Sequence, residues 1–505
     1  YELLDQNADH LHWDTAEAWN EAKKGMSNST DAAGGGHAHC GMMIYLGDNW
    51  PGQYRGRLFT LNMHGRRINQ DRLERHGATY TGLHEADMLM SSDPWFRGIE
   101  LLYGPDGGVY IADWTDIGEC HENDGVHRTS GRIFKMSYGE VLERPKELRG
   151  AGGLASQSSA QLVKLQLHPN DWYVRQARQV LQYRAAQQKP MRAVHRQLRQ
   201  MFDQQTDVTR RLRAIWALQV TGGTDRDWLL ERLEDENEHV RRWSVQLLVE
   251  NPEVPARVIE ALATRARVDD SGLVLCYLAS ALQRLPAGQR WPIAEQLVAR
   301  QEFSSDRVLP MMIWYGIEGA VESDSGSAVS LALAAQQSQV RRYISRRLGE
   351  DLEQNLAAVN SLVSALPLLA VEQQRDILAG LDDALQAWTK APQPENWLKV
   401  QTVLAESPDQ EVRQLTGQLG VVFGDGRGLE QLLEIVASAE YDSTARQAAI
   451  RSLVTARADG LLAVLKGQLG DRDVVVEAVR GIAVLDPENM PQILLEAYGR
   501  LRGRG

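Results

Sequence analysis

The chain has 505 residues, enough for two or three domains with sizeable cores. It is 43% hydrophobic and 24% charged, as in ordinary globular proteins, and its net charge of −12 excludes a general nucleic-acid binder, which needs a basic face. No apolar run approaches the ~18 residues of a membrane span. The chain opens at Tyr1 rather than Met and stops at "YGRLRGRG", which predicts a piece of a longer protein whose targeting signals the sequence does not display.

The first ~140 residues are rich in Gly, aromatic residues and His, and nine of the twelve histidines lie at or before His127. Short apolar runs alternate with turn signals: "CGMMIYLG", "GRLFTLNM", "GIELLYGPDGGVYIADW" and "GRIFKMSYG". Pro105-Asp106-Gly107-Gly108 between two such runs predicts a hairpin, with Gly107 and Gly108 supplying positive φ. It does not predict a phosphate cradle, because no helix follows to supply N–H groups. Strands at this spacing predict a propeller or a sandwich. Residues 141–160, centred on "GAGGLASQSSAQ", read as a linker.

From 161 to 505 the period changes to that of helices. A polar cap followed three residues on by an apolar residue, often with Arg next, recurs at Asp171, Asp207, Asn237, Asp270, Ser305, Gln337, Asp409, Asp442 and Asp471. The intervals are roughly 30 to 36 residues, with one double interval that holds a worn copy near "VEQQRDILAGL". Two helices per period define an α-solenoid of about ten HEAT-like repeats. The Asp caps the second helix of each pair, the apolar residue enters the core, and the Arg bonds an Asp or carbonyl of the neighbouring repeat. Trp172, Trp216, Trp243 and Trp314 read as solenoid packing, and Cys276 as a core residue. "VRRYISRRLGE" reads as a solvated face or an inter-repeat ladder rather than an anion site. The expected fold class is mixed, mainly α.

The stretches "GGHAHCGMMIYLGDNWPGQYRGRLFTLNMHGRRINQDRLERHG", "DPWFRGIELLYGPDGGVYIADWTDIGECHENDGVHRTSGRIFKMSYG" and "DHLHW" resemble the membrane-bound dehydrogenase-type proteins of planctomycetes, with "PMMIWYGIE" a further local match. Those proteins are similar to glucose/sorbosone dehydrogenases. The resemblance implies the last two blades or so of a six-bladed β-propeller over residues 1–140, HEAT-type repeats, and a C-terminal cytochrome c domain absent here, because the chain has no C-x-x-C-H. It further implies a sugar or alcohol dehydrogenase passing electrons to a c-type haem, in a periplasmic, exported or membrane-associated setting.

On the blade rule that inner strands start, and second strands end, at the top face, separate stretches converge on one mouth. His37, His39, Cys40, His64, Arg66, Asp93, Trp95, Arg97, Asp113, Trp114, Asp116, Cys120 and His121 are the residues brought there. Three readings stay open. In the first, His37, His39 or His64 is a general base, with Arg97 and Asp113 beside it. Arg66, Trp95 and Trp114 then hold a quinone-type cofactor or an anionic group. In the second, His10, His12, His39 and His121 bind a metal ion, since residues two apart on a strand face the same way. In the third, these side chains only hydrogen-bond loops. Cys40 and Cys120, at the top of adjacent blades in an exported family, are a candidate disulfide. The alternative from another class is a scaffold whose solenoid holds a protein or polysaccharide partner.

Overall fold

The structure, a computed structural model, describes residues 39–498 except 64, 94, 116–128, 141–152, 252, 389, 425, 439, 456–457 and 459. Among them the fold is mixed and mainly helical, with two small antiparallel sheets. The first contains β1 (His39–Ile44), β2 (Leu58–Asn62), β3 (Arg67–His76) and β4 (Thr79–His84) in meander order, with the short β5 (Leu89–Met90) also pairing with β3. The second is the meander β6 (Gly98–Tyr103), β7 (Val109–Asp113) and β8 (Arg132–Met136). Both are open sheets. The run "GRLFTLNMHGRR" is not one strand: β2 stops at Asn62, and Arg66 sits in the connection to β3 with φ +52°.

The two sheets meet at paired irregularities. β1 is bulged between Cys40 and Met42, and β6 between Gly98 and Glu100. Gly41 sits in the first bulge at φ +53°, and a Cβ there would lie 2.7 Å from the Glu100 Cα. Only glycine permits that approach. The Cys40 thiol donates to the Gly98 carbonyl oxygen at 3.3 Å across the same seam. Beneath it Phe59, Leu61, Ile68, Leu101, Val109 and Ile111 form a shared apolar core. Tyr45 closes the far end. Its hydroxyl accepts from the Asn49 and Trp50 N–H groups and donates to the Gly107 carbonyl (2.8 Å). In the hairpin turn only Gly107 takes positive φ (+74°); Gly108 does not.

The chain divides into two compact units, Tyr1–Arg241 and Arg242–Gly505. In the first, the sheets are bonded to the start of the solenoid. The Asn170 amide donates to the Gly104 and Pro105 carbonyls, the Asp171 N–H donates to Leu46, and Arg55 donates to Pro169. Helix begins already at Ser159–Lys164, inside the stretch expected to be linker. The reason is local: Ser158 and Gln161 form a reciprocal capping box.

The repeat positions fall on successive second helices. Asp207, Asp409 and Asp442 accept from the N–H three residues on, at 2.9–3.0 Å. Elsewhere the cap differs. Asn170 rather than Asp171 caps the helix Asp171–Ala186, and Ser271 rather than Asp270 caps Gly272–Ala281. Gln337 caps nothing and instead donates to the carbonyls of Leu297 and Arg300 in the preceding repeat. The worn copy is a regular helix, Val371–Leu385.

Several of the repeat arginines are buried and bonded, whereas Arg175 is exposed and Arg413 half-buried. Arg241 donates to the Asp235 and Glu236 carbonyls. Arg341 bonds Ala335 and Asp376. Arg446 bonds Val436, Gln468 and Asp471. In the first unit, buried Arg213 reaches back to the His168 carbonyl and to Asp171 Oδ1 (2.9 Å). The basic segment from Arg341 is a ladder: Arg342 pairs with Asp383, Arg346 with Glu350, and Arg347 with Asp351.

Arg213→Ala removes the buried partner of Asp171, which keeps only the exposed Arg175, and is expected to cost about 3 kcal/mol. Loss of the Asp207 cap in Asp207→Ala costs about 1 kcal/mol. Urea unfolding of the two variants ranks them; equal losses would show that the Arg213–Asp171 pair does not staple the repeats.

Candidate functional site at the strand ends and in the helical groove

Strand register builds one candidate site. His39 pairs with Asn62 and Asn62 with Arg67 across the first sheet, while Gly98 pairs with Asp113 and Asp113 with Arg132 across the second. The Cys40–Gly98 bond sets the two rows side by side. Of the residues expected at a mouth, the structure thus brings His39, Cys40, Arg97 and Asp113 to one end. Arg66 precedes β3, Trp95 precedes β6, and Trp114 follows β7 at the same end. His10, His12, His37, His64, Asp116, Cys120 and His121 lie outside the described residues.

Asp113 is 3% exposed and already accepts from the N–H groups of Arg97 (2.7 Å) and Thr115 (3.0 Å), the Thr115 hydroxyl (3.1 Å) and Arg132 Nε (2.7 Å). Arg132 continues to Asp93 at 2.6 Å, and the Asp93 charge acts on Arg66. Burial pulls the Arg66 guanidinium below its ordinary value, with Asp93 opposing. Arg97 Nη1 donates to the carbonyl of Phe96. Arg66, Arg67 and Arg97 are all fully buried. Such an Arg–Asp chain ties loops together and occupies both carboxylate oxygens of Asp113.

Beside it, Arg67 pairs with Asp87 (2.8 Å), Asp87 accepts from Asn69, and His84 lies between Asp71 and Asp87. His39 Nε2 is 3.4 Å from the Asn62 amide nitrogen. Desolvation lowers the pKa of His39, helped by Arg67 and His84; a hydrogen bond with Asn69 and the charge of Asp71 oppose it. The imidazole is therefore neutral at pH 7, the form in which it can take up a proton. Among the described residues no three His, Cys, Asp or Glu side chains converge as a metal site. Of the residues assigned to a cofactor, Arg66 is 1% exposed and Trp114 is 60% exposed.

A second candidate lies on the second helices of the other unit, and motif reading missed it. A cavity of about 690 Å³ is lined by Ser338, Gln339, Arg342, Tyr343, Arg346 and Asp383 among others. A second, of about 460 Å³, lies between the helices Val371–Leu385, Gln410–Val422 and Ser443–Thr455. Gln386 lines both. Asp382 and Trp388 line the second, and burial, then the charge of Asp383, push the Asp382 carboxyl up to about 7 against the pull of Arg342. The available signal was the adjacent Asp382-Asp383 pair near the end of the helix Val371–Leu385.

A domain of unknown function (DUF7133) matches residues 4–126. No curated protein matches the chain. Among solved structures, the complex of CpcE and CpcF of phycocyanin lyase from Nostoc sp. PCC7120 is 13% identical, covering 55% of this chain and 95% of that one, with a TM-score of 0.25. An engineered protein from a structural genomics consortium is 18% identical, covering 68% and 92%, with a TM-score of 0.29. Likenesses at this level carry no functional argument. No helix among the described residues is long and apolar enough to cross a membrane.

Two outcomes check this geometry. Asp113→Ala strands the N–H groups of Arg97 and Thr115 and is expected to cost about 3 kcal/mol in urea unfolding; a loss below about 1 kcal/mol would show the network to be dispensable. For Asp382 the folded pKa lies above the unfolded value of 3.8, so the folded state holds the proton more tightly. Its stabilising contribution is full below about pH 4 and is lost as pH rises to about 7. The stability of wild type relative to Asp382→Asn therefore falls across that window, other carboxylates cancelling in the difference. A flat difference would place Asp382 in solvent.

Proposed function

We propose that this chain is a binding scaffold whose helical repeats hold a protein partner. The observation that carries the reading is the polar groove along successive second helices of the Arg242–Gly505 unit, where cavities of about 690 and 460 Å³ open side by side. Solenoids use such repeated helix faces as extended binding surfaces. In the other unit, Asp113 is engaged by Arg97 and Arg132 of its own sheet, and buried Arg67 by Asp87, which supports a structural role for these groups.

A photo-crosslinking residue placed at Tyr343 in the producing cells, with an identical one at exposed Tyr183 as control, tests this reading. The expected result is a discrete adduct from position 343 alone, and loss of binding to the purified adduct protein in Tyr343→Ala. Equal labelling from both positions would overturn it, and an adduct that is polysaccharide would reassign the partner class.

The second reading is the oxidoreductase implied by the resemblance, with residues 1–140 as propeller blades, a sugar or alcohol substrate, an exported location and electrons leaving to a c-type haem domain. What favours it is the neutral His39 at the end where Arg97 and Asp113 also lie. His39 would act there as the base toward a substrate hydroxyl. Arg66 and Trp114 are so differently exposed that no step is assigned to a quinone-type cofactor. Dye-linked turnover of sugars and alcohols that disappears in His39→Ala, with unfolding unchanged, is the result expected of this reading; turnover retained in that variant removes it.

A further inference from the structure

We propose that the cavity between the helices Val371–Leu385, Gln410–Val422 and Ser443–Thr455 is a receptor for a basic side chain, lysine or arginine, of a protein partner, with Asp382 as counter-ion and Trp388 as the aromatic wall. The inference rests on the scaffold reading and names what its groove recognises.

Three features of the cavity lead there. First, Asp382 is half-buried at the cavity wall, and among the described residues no hydrogen bond or ion pair engages its carboxylate. The nearest acid, Asp383, is answered by Arg342, whose Nε and Nη2 both donate to it, at 2.7 and 3.0 Å. Arg342 is therefore already committed. A carboxylate held in a poorly solvated place gains most from an incoming cation. Second, Trp388 lines the same space, and an indole face attracts ammonium and guanidinium groups. Third, Leu385, Val421 and Val422 line the cavity beside these polar groups. They offer the aliphatic stem of a long basic residue an apolar wall, while Gln418 supplies an amide to its head. The volume of about 460 Å³ admits such a side chain with room for water.

The charges around Asp382 are consistent with this occupant. From its own helix comes Asp383, and from Ser338–Glu350 comes Arg342, each neutralising the other. From Ser443–Thr455 comes Arg451, which also lines the cavity and shares Glu477 with Arg480, at 3.5 and 3.1 Å. The helix Gln410–Val422 contributes only uncharged residues to the lining. Asp382 is the carboxylate of the lining that no ion pair engages among the described residues, and an anionic or neutral ligand would leave it so. Ionisation of Asp382, whose carboxyl sits at about 7, gates binding, so affinity rises with pH.

The probe is acetylated tetralysine, followed by 19F NMR of the full chain labelled with 5-fluorotryptophan. The Trp388 resonance is the one missing in Trp388→Phe. It is expected to shift saturably with tetralysine, and roughly tenfold more weakly at pH 6 than at pH 8, from the ionised fraction of a group at about 7. Asp382→Asn should abolish the shift, and Asp382→Glu should retain it. Both variants should unfold cooperatively, since Asp382→Asn only removes a poorly solvated charge. A Trp388 resonance that ignores tetralysine, that moves equally in Asp382→Asn, or that moves with cellotetraose instead would overturn the proposal. A failure here with position 343 still crosslinking to a protein refutes the pocket and leaves the scaffold; loss of both refutes the scaffold.

Discussion

Short helices leave carbonyl groups unpaired at every C-terminal end, and a solenoid multiplies those ends with each repeat. In this chain a buried arginine answers them. Arg241, Arg341 and Arg446 each turn a guanidinium onto carbonyls of the loop or helix end just before their own helix, and two of them continue to an acid of the next repeat. A planar donor with five N–H groups can do both at once, which lysine cannot. The connection between neighbouring repeats at Arg341 and Arg446 is therefore polar although apolar side chains surround it.

The sheets depend on the solenoid in a similar way. Neither meander closes on itself, and an open pair of small sheets has little core of its own. Asn170 and Asp171, at the start of a repeat helix, take up the Gly104 and Leu46 carbonyls. Asp171 is at once a partner of Arg213 from the following repeat. One residue at a helix start thus serves sheet, repeat and neighbouring repeat, and the sheets and the first repeats form one compact unit.

At the strand ends the same chemistry limits function. Arg66, Arg97, Asp113 and Arg132 are the residue types that catalysis and anion binding use, and residue type alone did not separate those roles from structural pairing. Burial and hydrogen-bond partners do: Asp113 has both carboxylate oxygens occupied, whereas His39 stays neutral and reaches solvent. The opposite holds for Asp382, an unremarked acid in a helical repeat that becomes chemically distinct because of what surrounds it.

The sequence by itself determined that short antiparallel strands come first and helical repeats follow, but not a propeller closure. Helical period, polar caps and the recurring Arg are local signals, each fixed within one turn of backbone, and they located the second helices, including the worn copy at Val371–Leu385. Turn chemistry located the hairpin at Gly107. Where a competing local interaction existed, the local reading was incomplete: the Ser158 capping box started a helix inside the expected linker, and Gln337 bonded backward rather than capping forward. Tertiary structure alone decided which sheet edges touch, since the Gly41 bulge and the Cys40–Gly98 bond join residues 58 apart in the chain. It also decided which charges are free to act. Solvation and pairing depend on the sum of neighbours from several helices, and no single stretch of sequence contains that sum.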